Sequence, residues 1–392
     1  MQEKGTSESS ILNELETRLK GDFTYTSGRI IGSMCTSSHP LSNLLQNSFP
    51  DRNLGDSGLF PALARLEEET IKMLGTLLSN PEACGHIVTG GTEANILALW
   101  TARKISKKSH GEVIIPDSAH CSLDKATELL GLRKINIGLN ERHQINIDSV
   151  QEAISPKTVA IVGIAGTTGL GVVDPIPKLS EIAKENELYL HVDAAFGGFV
   201  LPFLRQIHHD IPAFDFSLPG VSSITVDPHK MGLAPIPAGG ILFRNRKLWE
   251  TAAWKVSYLA GGNTEQATLV GTRPGGSVIA VWALLKHLGK TGYRKIVENC
   301  MNLTHKLEEG IKNIDGIGLM HKPTMNIVGI GSNTLNIHKV AKELRQRKWA
   351  ISLFPKHIRI VIMPHIKREH INMFLEDLQD VVNKLNNQRG KT

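Results

Sequence analysis

The run Ile224–Gly232, ITVDPHKMG, leads a β-branched stretch into an aspartate and a proline, then sets a histidine and a lysine side by side before a glycine. Apolar, β-branched runs of this length that stop at Pro and Gly read as buried strands. The same signature recurs upstream in EVIIP (Glu112–Pro116), TVAIVGIAG (Thr158–Gly166) and LYLHVDAAF (Leu188–Phe196), and just downstream in AGGILFRN (Ala238–Asn245). Between these lie helical patterns. Leu63, Leu66, Thr70, Leu74 and Leu77 recur at helical spacing behind Pro61, a helix follows the glycine pair from Glu93 to about Ile105, and another covers Ile176–Asn186. Strands rich in Ile and Val that alternate with helices predict an α/β fold whose central sheet is mostly parallel, with helices on both faces. From Gly276 the pattern becomes a long helix, then short strands and a final helix from Lys367, which predicts a smaller C-terminal α/β domain over 276–392 behind a large domain over 56–275.

Composition narrows the function classes. A chain of 392 residues with 41% hydrophobic content can bury a large core. The formal charge of +6 is spread along the chain beside acidic residues, as in Arg65–Glu69, so a solvated, mildly basic surface is expected and not a nucleic-acid site. Cys35, Cys84, Cys121 and Cys300 are far apart and form no CxxC pair, which points to reduced thiols with no metal site. The polar start MQEKGTSESS has no apolar core of a secretory signal, and Tyr189–Leu204 is too short to span a bilayer. A cytoplasmic protein away from membranes is the expectation.

Three features carry chemistry. GGTEAN (Gly90–Asn95) stands where a strand gives way to a helix, and Gly91, the free N–H groups and the Thr92 hydroxyl can hold a phosphate, although such a glycine pair also reads as a plain turn. HVDAAFGG (His191–Gly198) ends a buried run on Asp193, a costly place for a carboxylate unless it is paired, caps a turn or carries a functional charge. Lys230 reads either as a surface lysine at a strand end or as an amine whose burial lowers its proton affinity and makes it nucleophilic. Taken in this order, a phosphate cup, a carboxylate and a nucleophilic lysine meet the needs of pyridoxal phosphate: an anchor, a partner for the pyridine nitrogen and an amine for the aldehyde.

GGTEAN, SAHCSLDKA, HVDAAFGG and DPHK resemble the group II amino-acid decarboxylases of the fold-type I pyridoxal-phosphate enzymes. GRIIGSMCTSSHPL, NLGDSGLFPALARLEEE, LVGTRPGGS and RIVIMPHIKREHI are similar to the archaeal tyrosine/aspartate decarboxylases within that family, in order from about Gly28 to the last helix. The resemblance implies that Lys230 holds the cofactor aldehyde, Asp193 pairs with the pyridine nitrogen and His120 stacks on the ring. It further implies that Gly91 and Thr92 contact the phosphate, His229 lies beside the lysine linkage, Thr168 touches the ring or its phenolic edge, and Ala195 packs against the flat ring.

The rest of the resemblance concerns substrate and partner. Ile358, Ile360 and Ile362 share one strand face and leave Arg359 on the other, where it reads as an edge gatekeeper or, by resemblance, as the residue that binds the substrate α-carboxylate. Residues 1–55 would wrap over the site and bring His39 and Asn53 to the side-chain end of the pocket. Tyr258, before Gly261 and Gly262, would sit on a closing loop and protonate the carbanion. Thr272, in Gly271–Arg273, would reach the neighbouring subunit's phosphate, implying a homodimer with shared sites, while Pro274 departs from the pattern and could reshape that contact. The implied reaction is decarboxylation of L-tyrosine to tyramine, for methanofuran, and of L-aspartate to β-alanine, for coenzyme A. L-glutamate decarboxylation and an aldol-type carbon–carbon lyase are the alternatives.

Overall fold

The structure is a computed structural model that describes residues 1–108, 110–207 and 211–389. Its centre is a seven-stranded sheet built from β1 (Cys84–Val88), β2 (Glu112–Pro116), β3 (Arg133–Ile137), β4 (Thr158–Ile164), β5 (Tyr189–Asp193), β6 (Val221–Val226) and β7 (Gly239–Phe243). The spatial order is β1-β7-β6-β5-β4-β2-β3. β3, β2, β4, β5 and β6 run parallel, while β7 lies antiparallel between β6 and β1. Every residue of β2, β4, β5 and β7 is buried, as expected for strands covered by helices on both faces. β1 is the strand expected before GGTEAN, whereas β3, with Arg133, Lys134 and Asn136 among its five residues, has no strand signature.

The hairpin of β8 (Trp254–Leu259) and β9 (Gly262–Gln266) stands apart from this sheet, where the sequence suggested only a loop. A second sheet of β10 (Gly318–Leu319), β11 (Ile327–Gly331), β12 (Ser352–Leu353) and β13 (Ile358–Val361) has the order β10-β11-β13-β12. The helix Gly275–Lys312 joins the two sheets. It breaks at Gly289, whose φ of 55° and ψ of −174° are non-helical, the one place in that run where glycine's freedom is needed. Val278, Val281, Leu284, Val297 and Met301 of this helix pack with the large-sheet core, whereas Leu307 and Ile311 pack with Trp349, Ile360 and Phe374 around the small sheet.

The sheet direction positions the site. The loops after β4, β5 and β6 and the N-terminus of helix Gly91–Ser106 all gather at the carboxyl ends of the parallel strands, the usual place for a ligand crevice in open α/β sheets.

Candidate active site

A cavity of about 750 Å³ opens at those strand ends. Lys230, His229, Asp193, Ala195, His120, Gly91, Thr92, Thr168 and Arg359 all line it, although they come from six different segments of the chain.

Strand β6 ends at Val226, and Asp227, Pro228, His229 and Lys230 form the turn beyond it, closed by Lys230 N–H donating to Asp227 O at 3.0 Å. The Lys230 Nζ lies 3.0 Å from Asp227 Oδ2, and His229 Nε2 lies 3.6 Å from the same oxygen. This corrects the expected electrostatics. Burial alone would lower the proton affinity of Lys230, but Asp227 and Asp193 outweigh it and hold the amine above its ordinary pKa. Burial does prevail at His229, whose pKa is pushed down.

Asp193 stands at the last position of β5. Its Oδ1 accepts the Ala195 N–H at 3.0 Å and its Oδ2 accepts Asn95 Nδ2 at 2.9 Å. Helix Gly91–Ser106 starts beside it, with Gly90 extended and Glu93 Oε2 accepting both the N–H (2.9 Å) and the hydroxyl (2.7 Å) of Thr89. At Gly91 a methyl group would come within 3.0 Å of Asp227 Oδ2 and 3.3 Å of the Ala195 side chain, so the backbone there is open to a ligand only because Cβ is missing. The His120 Nδ1 accepts the Ser122 N–H at 3.2 Å, and burial lowers the pKa of its ring.

Arg359 belongs to β13, which lies between β11 and β12, so the edge-gatekeeper reading does not apply. Only 8% of the residue is exposed. Its guanidinium donates to Thr168 O (2.9 Å), Gly32 O (2.8 Å) and Ser352 Oγ (3.0 Å), and Nε has no partner. All three partners are neutral. Burial without a counter-charge pulls its pKa down to about 10.

Four expected residues do not reach this cavity in their own chain. His39 caps helix Pro40–Ser48, its Nδ1 accepting the Leu41 N–H at 3.2 Å. Asn53 Oδ1 accepts the N–H groups of Gly55 (2.7 Å) and Arg273 (3.2 Å) in a short bridge to Pro274. Tyr258 is 86% exposed on the β8–β9 hairpin, and Thr272 is exposed just beyond it. Arg273 itself is turned inward onto Glu67.

The model for the pyridoxal-dependent decarboxylase conserved domain matches residues 2–330. The chain belongs to that family. The decarboxylase is 50% identical over 380 residues to the probable L-aspartate decarboxylase of Thermococcus gammatolerans, covering 97% of this chain and 99% of the relative. It is 49% identical over 360 residues to the probable L-tyrosine/L-aspartate decarboxylase of Methanothermobacter thermautotrophicus, covering 91% and 98%. Among solved structures it resembles the sphingosine-1-phosphate lyase of Burkholderia pseudomallei, with a TM-score of 0.92 at 28% identity over 100% of this chain and 94% of the other. It also resembles the glutamate decarboxylase of Lactobacillus brevis, with a TM-score of 0.88 at 22% identity over 98% and 94%. The decarboxylase is thus a pyridoxal-phosphate-dependent amino-acid decarboxylase of the fold-type I architecture.

The residues present fit that cofactor. Asp227 Oδ1 and Arg359 Nε are buried without partners, and the cradle at Gly91 would be closed by any side chain, so the cavity has donors, acceptors and space that its own side chains leave unused. Two of the decarboxylase's cavity residues, Asp227 and Asn95, were written in the very motifs read from the sequence, DPHK and GGTEAN, but were passed over there. From the N-terminal segment, Gly32, Ser33 and Met34 line the cavity in place of His39. Among the described residues no helix is long and apolar enough to cross a membrane, and no group of three or more His, Cys, Asp or Glu could hold a metal ion.

Proposed function

We propose that this enzyme removes the α-carboxylate of L-aspartate to give β-alanine and CO₂, with L-tyrosine to tyramine as a second reaction on the same site. The observation that carries the reading is Arg359, a buried guanidinium in the lysine's cavity that has only neutral partners. A carboxylate is the ligand such a group lacks. Aspartate is favoured because it appears in the names of the Thermococcus and Methanothermobacter relatives and of the L-aspartate/L-glutamate decarboxylase of Pyrococcus horikoshii, 50% identical over 96% of this chain and 98% of that one.

Lys230 would hold the cofactor's aldehyde carbon, with Asp227 at 3.0 Å able to take the proton the amine sheds. Gly91 and Thr92 would hold the phosphate, Asp193 the ring nitrogen, and His120, Ala195, Thr168 and His229 the ring and its edges. The bound cofactor supplies an electron-accepting ring for the pair left on the α-carbon when the bond to the carboxyl carbon breaks. Arg359 orients that carboxylate, and a proton must then reach the α-carbon. Tyr258, exposed on its hairpin, would deliver it in a neighbouring subunit, and Thr272 would meet that subunit's phosphate. The exposed apolar side chains Ile11, Leu12, Leu15 and Leu19 of helix Glu8–Leu19 support such a homodimer. In the cytoplasm the products would feed coenzyme A and methanofuran synthesis.

The test is a mass-spectrometric product panel on the cofactor-loaded protein given aspartate, tyrosine and glutamate, with Lys230→Ala as control. β-Alanine, with or without tyramine, is expected, and Lys230→Ala should abolish it together with the absorbance band of lysine-bound cofactor. A keto acid, or no amine from any of the three, would overturn the proposal, and γ-aminobutyrate alone would move the substrate to glutamate.

A further inference from the structure

The side chains behind Asp193 form a buried chain that the reaction described above does not use. His191 and Asp193 share one face of β5, two residues apart, and the register of β6 sets Ser223 beside His191 and Thr225 beside Asp193. Asn95 comes down on this column from helix Gly91–Ser106. All of these residues are buried, and His191, Ser223 and Thr225 have no exposure at all. So much polarity in an otherwise apolar layer is costly unless each member is satisfied, and here each is.

The hydrogen bonds have a direction. Asn95 Nδ2 donates to Asp193 Oδ2 and to Ser122 Oγ, both at 2.9 Å, while Asn95 Oδ1 accepts from Thr225 Oγ1 at 2.8 Å and from His191 Nε2 at 2.9 Å. A reversed amide would set its oxygen against the carboxylate of Asp193, so only one orientation works. Since His191 Nε2 must then donate, its Nδ1 accepts the Ser223 hydroxyl at 2.8 Å. Burial keeps the imidazole neutral by lowering its pKa, with Asp193 acting the other way. Other titratable groups that bear on this column are Tyr189 from β5, His120 across the cavity, and Lys230.

We infer that Asn95 is a positioning residue for Asp193, that His191 fixes Asn95, and that the chain Ser223–His191–Asn95–Asp193 governs how strongly the cofactor's ring nitrogen holds its proton. The inference rests on Asp193 meeting that nitrogen. Two oxygens of Asp193 are held by one backbone and one amide N–H, which fixes the orientation of the carboxylate at the cavity wall.

The test uses full-length enzyme loaded with pyridoxal phosphate labelled with ¹⁵N in the ring. Asn95→Asp sets a second carboxyl against Asp193, and a pair this close shares a proton. The ring-nitrogen resonance should move toward its unprotonated position, the cofactor absorbance should become pH-dependent near neutrality, and kcat should fall about 10- to 100-fold with KM unchanged, the scale seen for partners one layer behind a reacting group. His191→Phe should move the resonance the same way by less, and His191→Gln, which keeps an N–H toward Asn95, should restore it. If Asn95→Asp does not fold, the two His191 variants decide. An unmoved resonance in folded Asn95→Asp, or activity in His191→Phe that falls only in step with melting temperature, would overturn the inference. Asp193→Asn separates the two readings: if it also leaves the resonance unmoved, the assignment of Asp193 fails, and if it alone moves the resonance, only the chain behind it fails.

Discussion

Two arginines are buried to nearly the same degree, Arg273 with 7% of its surface exposed and Arg359 with 8%, and their surroundings are opposite. Arg273 forms a double ion pair with Glu67, Nη1 to Oε1 at 2.5 Å and Nη2 to Oε2 at 3.0 Å. Glu67 also takes the Ile87 N–H and His86 Nδ1, and His86 Nε2 accepts the indole N–H of Trp249. Burial would raise the Glu67 carboxyl, but Arg273 and His86 hold it well below its usual range. Arg359 has carbonyls and a hydroxyl and no carboxylate, so its charge is unanswered among the described residues. The first arginine is part of the framework. The second has only neutral partners among the described residues, and the proposed substrate carboxylate would supply the missing charge.

The largest effect should follow from breaking the framework pair. Arg273→Met leaves Glu67 buried and uncompensated and should lower stability by about 3–5 kcal/mol, read as a fall in melting temperature, whereas the double variant Arg273→Met, Glu67→Met should regain most of it. If the single variant melts normally, the two arginines do not differ as described. Next, Arg359→Met should cut kcat/KM about 100-fold through two lost charged hydrogen bonds to the proposed substrate carboxylate, with a smaller fall in melting temperature than Arg273→Met because the partners it leaves behind are neutral. A stability loss with KM and kcat intact would assign Arg359 to the framework as well.

The pair also has an acid signature. Because the folded Glu67 carboxyl lies below its unfolded value, its contribution is complete above about pH 4.3 and disappears as the pH falls toward the folded value. Acid unfolding should therefore shift in Glu67→Gln and stay in place in Arg359→Met. The smallest effect is expected at His39→Ala, which removes a helix cap and should cost at most about 1 kcal/mol with turnover retained. A clear rise in KM for that variant would return His39 to the substrate pocket.

Much of this was readable from residue order, for physical reasons that differ from place to place. The buried parallel strands announce themselves because both faces must be apolar, and β6 with its trailing DPHK locates the lysine without any tertiary knowledge. Arg359 stood out because a charge in the run HIRIVIMPH contradicts its neighbours, but the residues alone suggested an edge strand, and β13 lies between β11 and β12. Asp227 and Asn95 were equally visible as letters, but their value lies in distances, 3.0 Å to Lys230 and 2.9 Å to Asp193, that only the packed helix and turn create. His39 and Asn53 show the converse. Their segment does approach the cavity, but through Gly32, Ser33 and Met34, because facing direction within an irregular stretch has no periodicity to betray it. Tyr258 and Thr272 are exposed, and only the proposed homodimer would give them a site to reach.

Arg359 is carried on the small sheet, yet two of its hydrogen bonds run to Thr168 in the loop after β4 and to Gly32 in the N-terminal segment. Arg359 is thus a clasp that fastens three parts of the chain together, and under the proposed function the same group would grip the ligand. Under the proposed function Lys230 and Arg359, which line the same cavity, would hold different parts of the bound molecule. The spacing between the two sheets would then act as a gauge for the molecule between them. Gentle heating or dilute denaturant that loosens the clasp should blunt the gauge, and turnover should fade while both sheets remain folded.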